Sequence, residues 1–255
     1  MTDPIRALRD DEVDFFQEHG WLHAKRLAQP ALVSRLADKA ARLRRTQGPT
    51  ALAESYARDR RVAGVDEDFA APVFSRVMAD NASRLLPGRP QLRLRLDSLI
   101  IREPVQSAPS PPVFHQDFAW MPMDRSAMLT VWLALVPVRP EAGSLWFYER
   151  SHRYGTLGRS YVRDGDDALS QHPWLADLGL SPELGFEPGD ATIHNSLTVH
   201  GVDEHTGAEP RMSFAWTYFD AATLYTGAPH EEIDLLGLGP NEPFDNPAFP
   251  LIAHG

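Results

Sequence analysis

The chain has 255 residues, 43% of them hydrophobic, enough for a buried core, and a formal net charge of −10 that repels a phosphate backbone, so no nucleic-acid partner is expected. It contains no cysteine, which rules out disulfides, thiolate nucleophiles and Cys-ligated zinc or iron–sulfur sites. The opening MTDPIRALRDD lacks the apolar stretch of a signal peptide, and the longest largely apolar run, Ala127 to Val138, is too short to cross a bilayer, so a cytoplasmic chain with no membrane partner is expected.

Residues 10–20, DDEVDFFQEHG, begin with acidic residues, space Val13 and Phe16 three apart and close on a glycine, which predicts a short amphipathic helix. After an extended WLHAKRL, the stretch from Pro30 to Arg45 sets Leu32, Val33, Leu36, Ala40 and Leu43 on one helical stripe. Arg35, Lys39, Arg42, Arg44 and Arg45 fall opposite, as a solvated basic face. Residues 46–90 read as loops with short helical pieces, and 46–75 as a possible lid. From residue 91 the texture changes: LRLRLDSLII alternates with period two, and further strands are expected at Met128–Val136, Ser144–Tyr148, Ala191–His194, Val199–Val202 and Arg211–Phe219. The expectation is a single domain over 1–255, mainly β with N-terminal helices: a helical layer over 1–90, then a jelly-roll or double-stranded β-helix core over 91–255.

In FHQDFAW (114–120), His115 and Asp117 are two apart, so on an extended strand they face the same way and can offer an imidazole nitrogen and a carboxylate to one point. A third ligand must come from elsewhere, and His194, His200 and His205 in HNSLTVHGVDEH are the candidates. Two histidines and one carboxylate on one face of an octahedral ion leave three positions open, as in non-haem Fe(II) oxygenases. Shortly after these histidines, Arg211 and Ser213 lie two apart on an expected strand. A buried arginine needs an anionic partner, and its planar fork suits a dicarboxylate cosubstrate.

Several stretches together resemble the phytanoyl-CoA dioxygenase family of Fe(II)- and 2-oxoglutarate-dependent oxygenases: EVDFFQEHGWLHAKRL near the start, IREP, HQD (115–117), VWLALVPVRPEAGSLWFYERSH (131–152), PGD (188–190), then His200 and Arg211. In that family the distal iron histidine follows a Gly-Asp pair by about ten residues and precedes the cosubstrate arginine by about eleven. Asp190, His200 and Arg211 match both spacings, which selects His200; His194 is then expected to be a hydrogen-bonded core histidine. Two departures stand out: the family's Gly-Ser-His is Arg150-Ser151-His152 here, and Val202 stands where some members have serine.

The resemblance implies Fe(II) on His115, Asp117 and His200, with 2-oxoglutarate anchored by Arg211 and assisted by Ser213 or Thr130, and with Trp132 beside the cosubstrate. Dioxygen would be consumed, succinate and carbon dioxide released, and an unactivated C–H bond of a small, largely apolar metabolite or natural-product intermediate hydroxylated. Epimerisation, cyclisation and desaturation begin with the same hydrogen abstraction and form the alternative, whereas the presence of Asp117 disfavours halogenation. Phe118, Trp120 and Met121 are candidate substrate-pocket residues. A cupin-like metal enzyme without 2-oxoglutarate and a non-catalytic sensor on the same scaffold are the competing readings. Oligomeric state is not legible in the sequence.

Overall fold

The computed structural model describes residues 2–55, 59–105, 111–140, 143–158 and 167–253, with side chains for all of these except 47–60. The N-terminal layer opens with α1 (Asp10–His19), β1 (Trp21–Ala24) and α2 (Pro30–Ser55). Next come β2 (Asp59–Arg60), α3 (Glu67–Val73) and α4 (Arg76–Leu85). The β-rich part comprises β3 (Leu92–Arg102), β4 (Met128–Ala134), β5 (Leu145–Phe147), a short α5 (Ala168–Gln171), β6 (Ala191–Asn195), β7 (His200–Val202), β8 (Arg211–Asp220) and β9 (Leu251–Ile252). The larger sheet runs β1-β6-β4-β8-β3-β2, with β9 also on β3, and a second sheet pairs β5 with β7. All pairings are antiparallel. This is a jelly-roll core with helices laid against its outer side.

Period-two alternation sorts each strand between the helices and the interior. Leu129, Val131 and Leu133 of β4, Ala191 and Ile193 of β6, and Met212, Phe214, Trp216 and Tyr218 of β8 join the main apolar cluster with Leu32, Leu36, Phe69, Val73, Met78 and Leu85 from the helices. Burial of each such large side chain contributes about 1.5–3 kcal/mol. The intervening residues, among them Thr130, Trp132, His194, Ser213, Ala215 and Thr217, face inward. In β3 the pairing slips between Leu94 and Leu96, so Arg95 is an extra residue in the ladder and the alternation changes phase. Leu92 and Leu94 lie on the helix side before the bulge, and Leu99 and Ile101 after it.

The expected strands form where the alternation placed them, and the helical layer is more regular than expected. Helix α2 continues ten residues past Arg45, and α3 and α4 are capped helices: Asp66 accepts from the backbone N–H groups of Asp68 and Phe69, and Ser75 from that of Met78. The basic face of α2 is partly spent on docking, with Lys39 on both Asp66 and Asp68, Arg35 on Asp68 and Arg44 on Glu103. Of the segment 46–75, a possible lid, residues 56–58 and the side chains of 47–60 lie outside the described residues. Val62, Ala63, Phe69 and Val73 are buried in the main core. The proline-rich C-terminal stretch folds back on its own chain, burying Phe244, Phe249 and Ile252. Among the described residues no helix is long and apolar enough to cross a membrane.

Arg150, standing where the resemblance expects glycine, has φ 59° and ψ 11°, a left-handed conformation that costs a side-chain-bearing residue free energy. The rest of that turn is kept: Ser151 Oγ donates to Tyr148 O and accepts from Val199 N–H. Arg150→Gly is expected to stabilise the protein by about 1 kcal/mol, the exposed ion pair with Glu18 being worth little, and to raise Tm by about 2–4 °C in a thermal melt. Gly20, which ends α1 at φ 83°, has no such latitude, because a Cβ there would overlap the His152 ring. Gly20→Ala is expected to cost about 2 kcal/mol, read from the denaturant midpoint.

Candidate metal centre

His200 opens β7, flanked by Phe147 of β5 on one side and by His115 on the other. His115 is not part of a longer strand; it makes a single antiparallel bridge, exchanging both backbone hydrogen bonds with His200 at 2.9 Å. Gln116 is extended and Asp117 begins a 3-10 turn through Trp120, so the His-x-Asp motif gains its geometry from one bridge and one turn. Gln116 is buried and locks the motif, donating to Gly155 O and Leu197 O and accepting from Leu157 N–H. Ligand atoms of His115, Asp117 and His200 lie within 4.8 Å of one another. His194 is not among that group.

Each imidazole is oriented from behind. His115 Nδ1 faces Val113 O at 3.2 Å and His200 Nδ1 faces Thr198 O at 3.0 Å, so donation to these carbonyls leaves both Nε2 lone pairs for the centre. Asp117 Oδ1 stands 3.9 Å from His115 Nε2 and 3.7 Å from His200 Nε2. Its other oxygen, Oδ2, accepts from Thr130 Oγ1 at 2.7 Å and meets His194 Nε2 at 3.1 Å. Burial opposes charge on Asp117, but the neighbouring His200, the His194 hydrogen bond and the nearby His115 outweigh it and hold the carboxyl far below its usual range. Burial pushes His200 well below the usual imidazole range, with His194 and His115 adding to the effect, and it lowers His115 against the pull of Asp117. At neutral pH the cluster is a carboxylate with two neutral imidazoles, the protonation state a divalent ion requires.

Beside Asp117 opens a cavity of about 480 Å³. Ile100, Trp120, Met121, Met128 and Ala215 form apolar wall, while Arg95, Arg102, Thr217 and the stretch His230–Glu232 are polar. Arg95 is 5% exposed and donates to Glu232 Oε2 at 3.0 Å. Trp120 and Met121 line this cavity, and Phe118 packs against the Met123, Tyr225 and Phe249 cluster. Thr130 lines the same cavity and gives its hydroxyl proton to Asp117 Oδ2. Arg211 is buried on β8, directly across from Arg102 of β3, and donates to Gly143 O at 2.7 Å; Ser213, also buried, pairs with Ile100 and Ala134. Trp132 is 7% exposed and meets Phe186 edge-on. His205, the remaining histidine of the cluster, has Nε2 at 2.5 Å from Glu209 O. Gln116, Arg95 and the His230–Glu232 wall carried no signal in the sequence: LRLRLD alternates without interruption through the position of the bulge.

The family model described as phytanoyl-CoA dioxygenase (PhyH) matches residues 16–213. The chain belongs to the PhyH family. No curated protein matches it in sequence. Among solved structures, the PhyH chain is similar to the non-haem α-ketoglutarate-dependent carbocyclase SnoK from nogalamycin biosynthesis, with a TM-score of 0.71 and 22% identity over 96% of this chain and 97% of that one. The epimerase SnoN from the same biosynthesis gives 0.68 and 21% over 96% and 98%. EctD from S. alaskensis, crystallised with 2-oxoglutarate and 5-hydroxyectoine, gives 0.68 and 18% over 88% and 83%. At these identities the likeness establishes a shared fold.

Asp190, the spacing landmark of the PhyH resemblance, works away from the metal centre. Its carboxylate accepts from Arg26 N–H at 2.7 Å and from Glu187 N–H at 3.0 Å, tying the turn before α2 to the turn before β6. Removing it strands two backbone donors. Asp190→Ala is expected to cost about 3 kcal/mol of stability, measured by urea denaturation, while the folded fraction retains its metal affinity.

Proposed function

We propose that this PhyH-family chain is an Fe(II)- and 2-oxoglutarate-dependent oxygenase that hydroxylates an unactivated C–H bond of a small, largely apolar molecule. The observation that carries the reading is the convergence of His115 Nε2, His200 Nε2 and Asp117 Oδ1, each prepared by a hydrogen bond on its far side. Two imidazoles and one carboxylate fit the facial triad of a non-haem iron site. His115, Asp117 and His200 would hold the iron. With 2-oxoglutarate and dioxygen, the iron supplies the oxidising power, and succinate and carbon dioxide leave as coproducts.

The chain's own residues bind and orient. Arg211, whose guanidinium donates to Gly143 O, would take the distal carboxylate of 2-oxoglutarate, with Ser213 and Trp132 on the same inner face. Ile100, Trp120, Met121 and Met128 offer a dry wall to a hydrocarbon body, and Arg95 with Glu232 meets polar groups at its edge. Epimerisation, ring closure and desaturation start from the same abstraction and remain the alternative outcome; the fold-mates named as carbocyclase and epimerase support keeping it. We take the chain as one cytoplasmic domain over 1–255, since the main apolar cluster draws side chains from both the helices and the sheet.

Titrating 2-oxoglutarate into anaerobic, Fe(II)-loaded protein is expected to produce the weak visible charge-transfer band of a chelated keto acid. His200→Ala should abolish the band, and Arg211→Ala should raise the 2-oxoglutarate concentration required on the order of a hundred-fold. Metal binding without a band would overturn this reading in favour of a metal enzyme that uses no keto acid. Failure to bind metal would favour a sensor.

A further inference from the structure

Resting on the oxygenase reading above, we propose that His194 is a positioning residue for the metal-binding carboxylate: together with Thr130 it holds the outer oxygen of Asp117, so that Asp117 gives the metal one oxygen only. A carboxylate can bind through one oxygen or two. Two-oxygen binding by Asp117 would occupy one of the three positions that 2-oxoglutarate and dioxygen need.

The sheet places the two donors side by side. His194 of β6 and Thr130 of β4 are direct cross-strand partners, so their side chains rise together on the inner face. Both reach the same atom, Asp117 Oδ2, while Oδ1 is left facing His115 and His200. An ionised carboxylate only accepts, so His194 carries its proton on Nε2 and donates. The ring is 3% exposed, lies 4.2 Å from the His200 ring and 5.5 Å from that of Phe147, and its buried Nδ1 has no hydrogen-bond partner among the described residues. A phenyl ring or a leucine would fill this space without desolvating a ring nitrogen. The bond to Asp117 is what the imidazole contributes here. Thr130 in turn lies 2.9 Å from Thr217 Oγ1, which completes a line of inner-face hydroxyls supporting the carboxylate.

The test compares the wild type with His194→Ala, His194→Gln and Thr130→Val under anaerobic conditions, using Fe(II) and 2-oxoglutarate as probes. Fe(II) affinity is read by competition with a chelator. Coordination of Asp117 is read from infrared difference spectra on Fe(II) binding in protein with ¹³C-labelled aspartate carboxylates, where the separation of the two carboxylate stretches is wide for one-oxygen and narrow for two-oxygen binding. In the wild type the separation should be wide. His194→Ala is expected to weaken Fe(II) about ten- to a hundred-fold, narrow the separation and move the charge-transfer band. His194→Gln, which keeps an N–H donor near the same place, should recover most of both.

Unchanged affinity and separation in His194→Ala would overturn the proposal. So would a His194→Gln variant as impaired as the alanine, since the imidazole would then be serving as something other than a donor. If His194→Ala does not fold, Thr130→Val, which removes the other donor at nearly constant volume, decides: a narrowed separation supports the proposal and an unaltered one overturns it. A wild-type protein that binds Fe(II) with the wide separation but shows no band would sink the oxygenase reading while leaving the role of His194 standing.

Discussion

Two backbone hydrogen bonds, exchanged between His115 and His200, hold the centre together. They bring a ligand that precedes the larger sheet's β4 against one that opens β7, and they set the two rings 4.4 Å apart. Everything else at the site braces that bridge. Gln116 pins the residue between the two motif ligands to Gly155, Leu157 and Leu197, and Phe147 supports β7 from the opposite side. The site therefore rests mainly on backbone and buried polar contacts, which hold its donors converged.

The inner face of the sheet imposes the second constraint. Because the outer face is committed to the helices through Leu133, Phe214, Trp216 and their neighbours, no strand can slip by one residue without turning its polar inner residues into the apolar core. That commitment fixes where His194, Thr130, Ser213 and Arg211 point. The energetic work of the helical layer is thus felt at the metal centre, although α1 to α4 contribute no ligand to it.

Much of this was legible in the sequence. Alternation marked β3, β4, β6 and β8, and the family resemblance, through its spacing of Asp190, His200 and Arg211, singled out one histidine of three that the residues alone left open. What was not legible has physical causes. Helices α3 and α4 are short and owe their ends to Asp66 and Ser75, single capping residues that look like loop composition when read without their partners. His115 and Asp117 read as strand neighbours, but their geometry comes from a bridge and a 3-10 turn, and only the distant His200 reveals the former. The contact of Thr130 with Asp117 Oδ2 depends on the 3-10 turn that begins at Asp117, and that turn has no periodic signal in the sequence. The His230–Glu232 wall is irregular backbone brought over the cavity by burial of Ile233 and Phe244, for which no periodic signal exists.

The bulge in β3 has a consequence for how such an enzyme can change. Leu94 pairs with Tyr218 and Leu96 with Thr217, so the register on either side of Arg95 is already continuous without it. Excising that one codon would leave the ladder to β8 regular and every later inner residue, from Ser98 to Arg102, on its present side. A one-residue change of length there adds or removes a buried cation facing Glu232, while His115, Asp117 and His200 lie on other segments of the chain. The outline of this edge of the pocket is thus set by length as well as by side-chain identity.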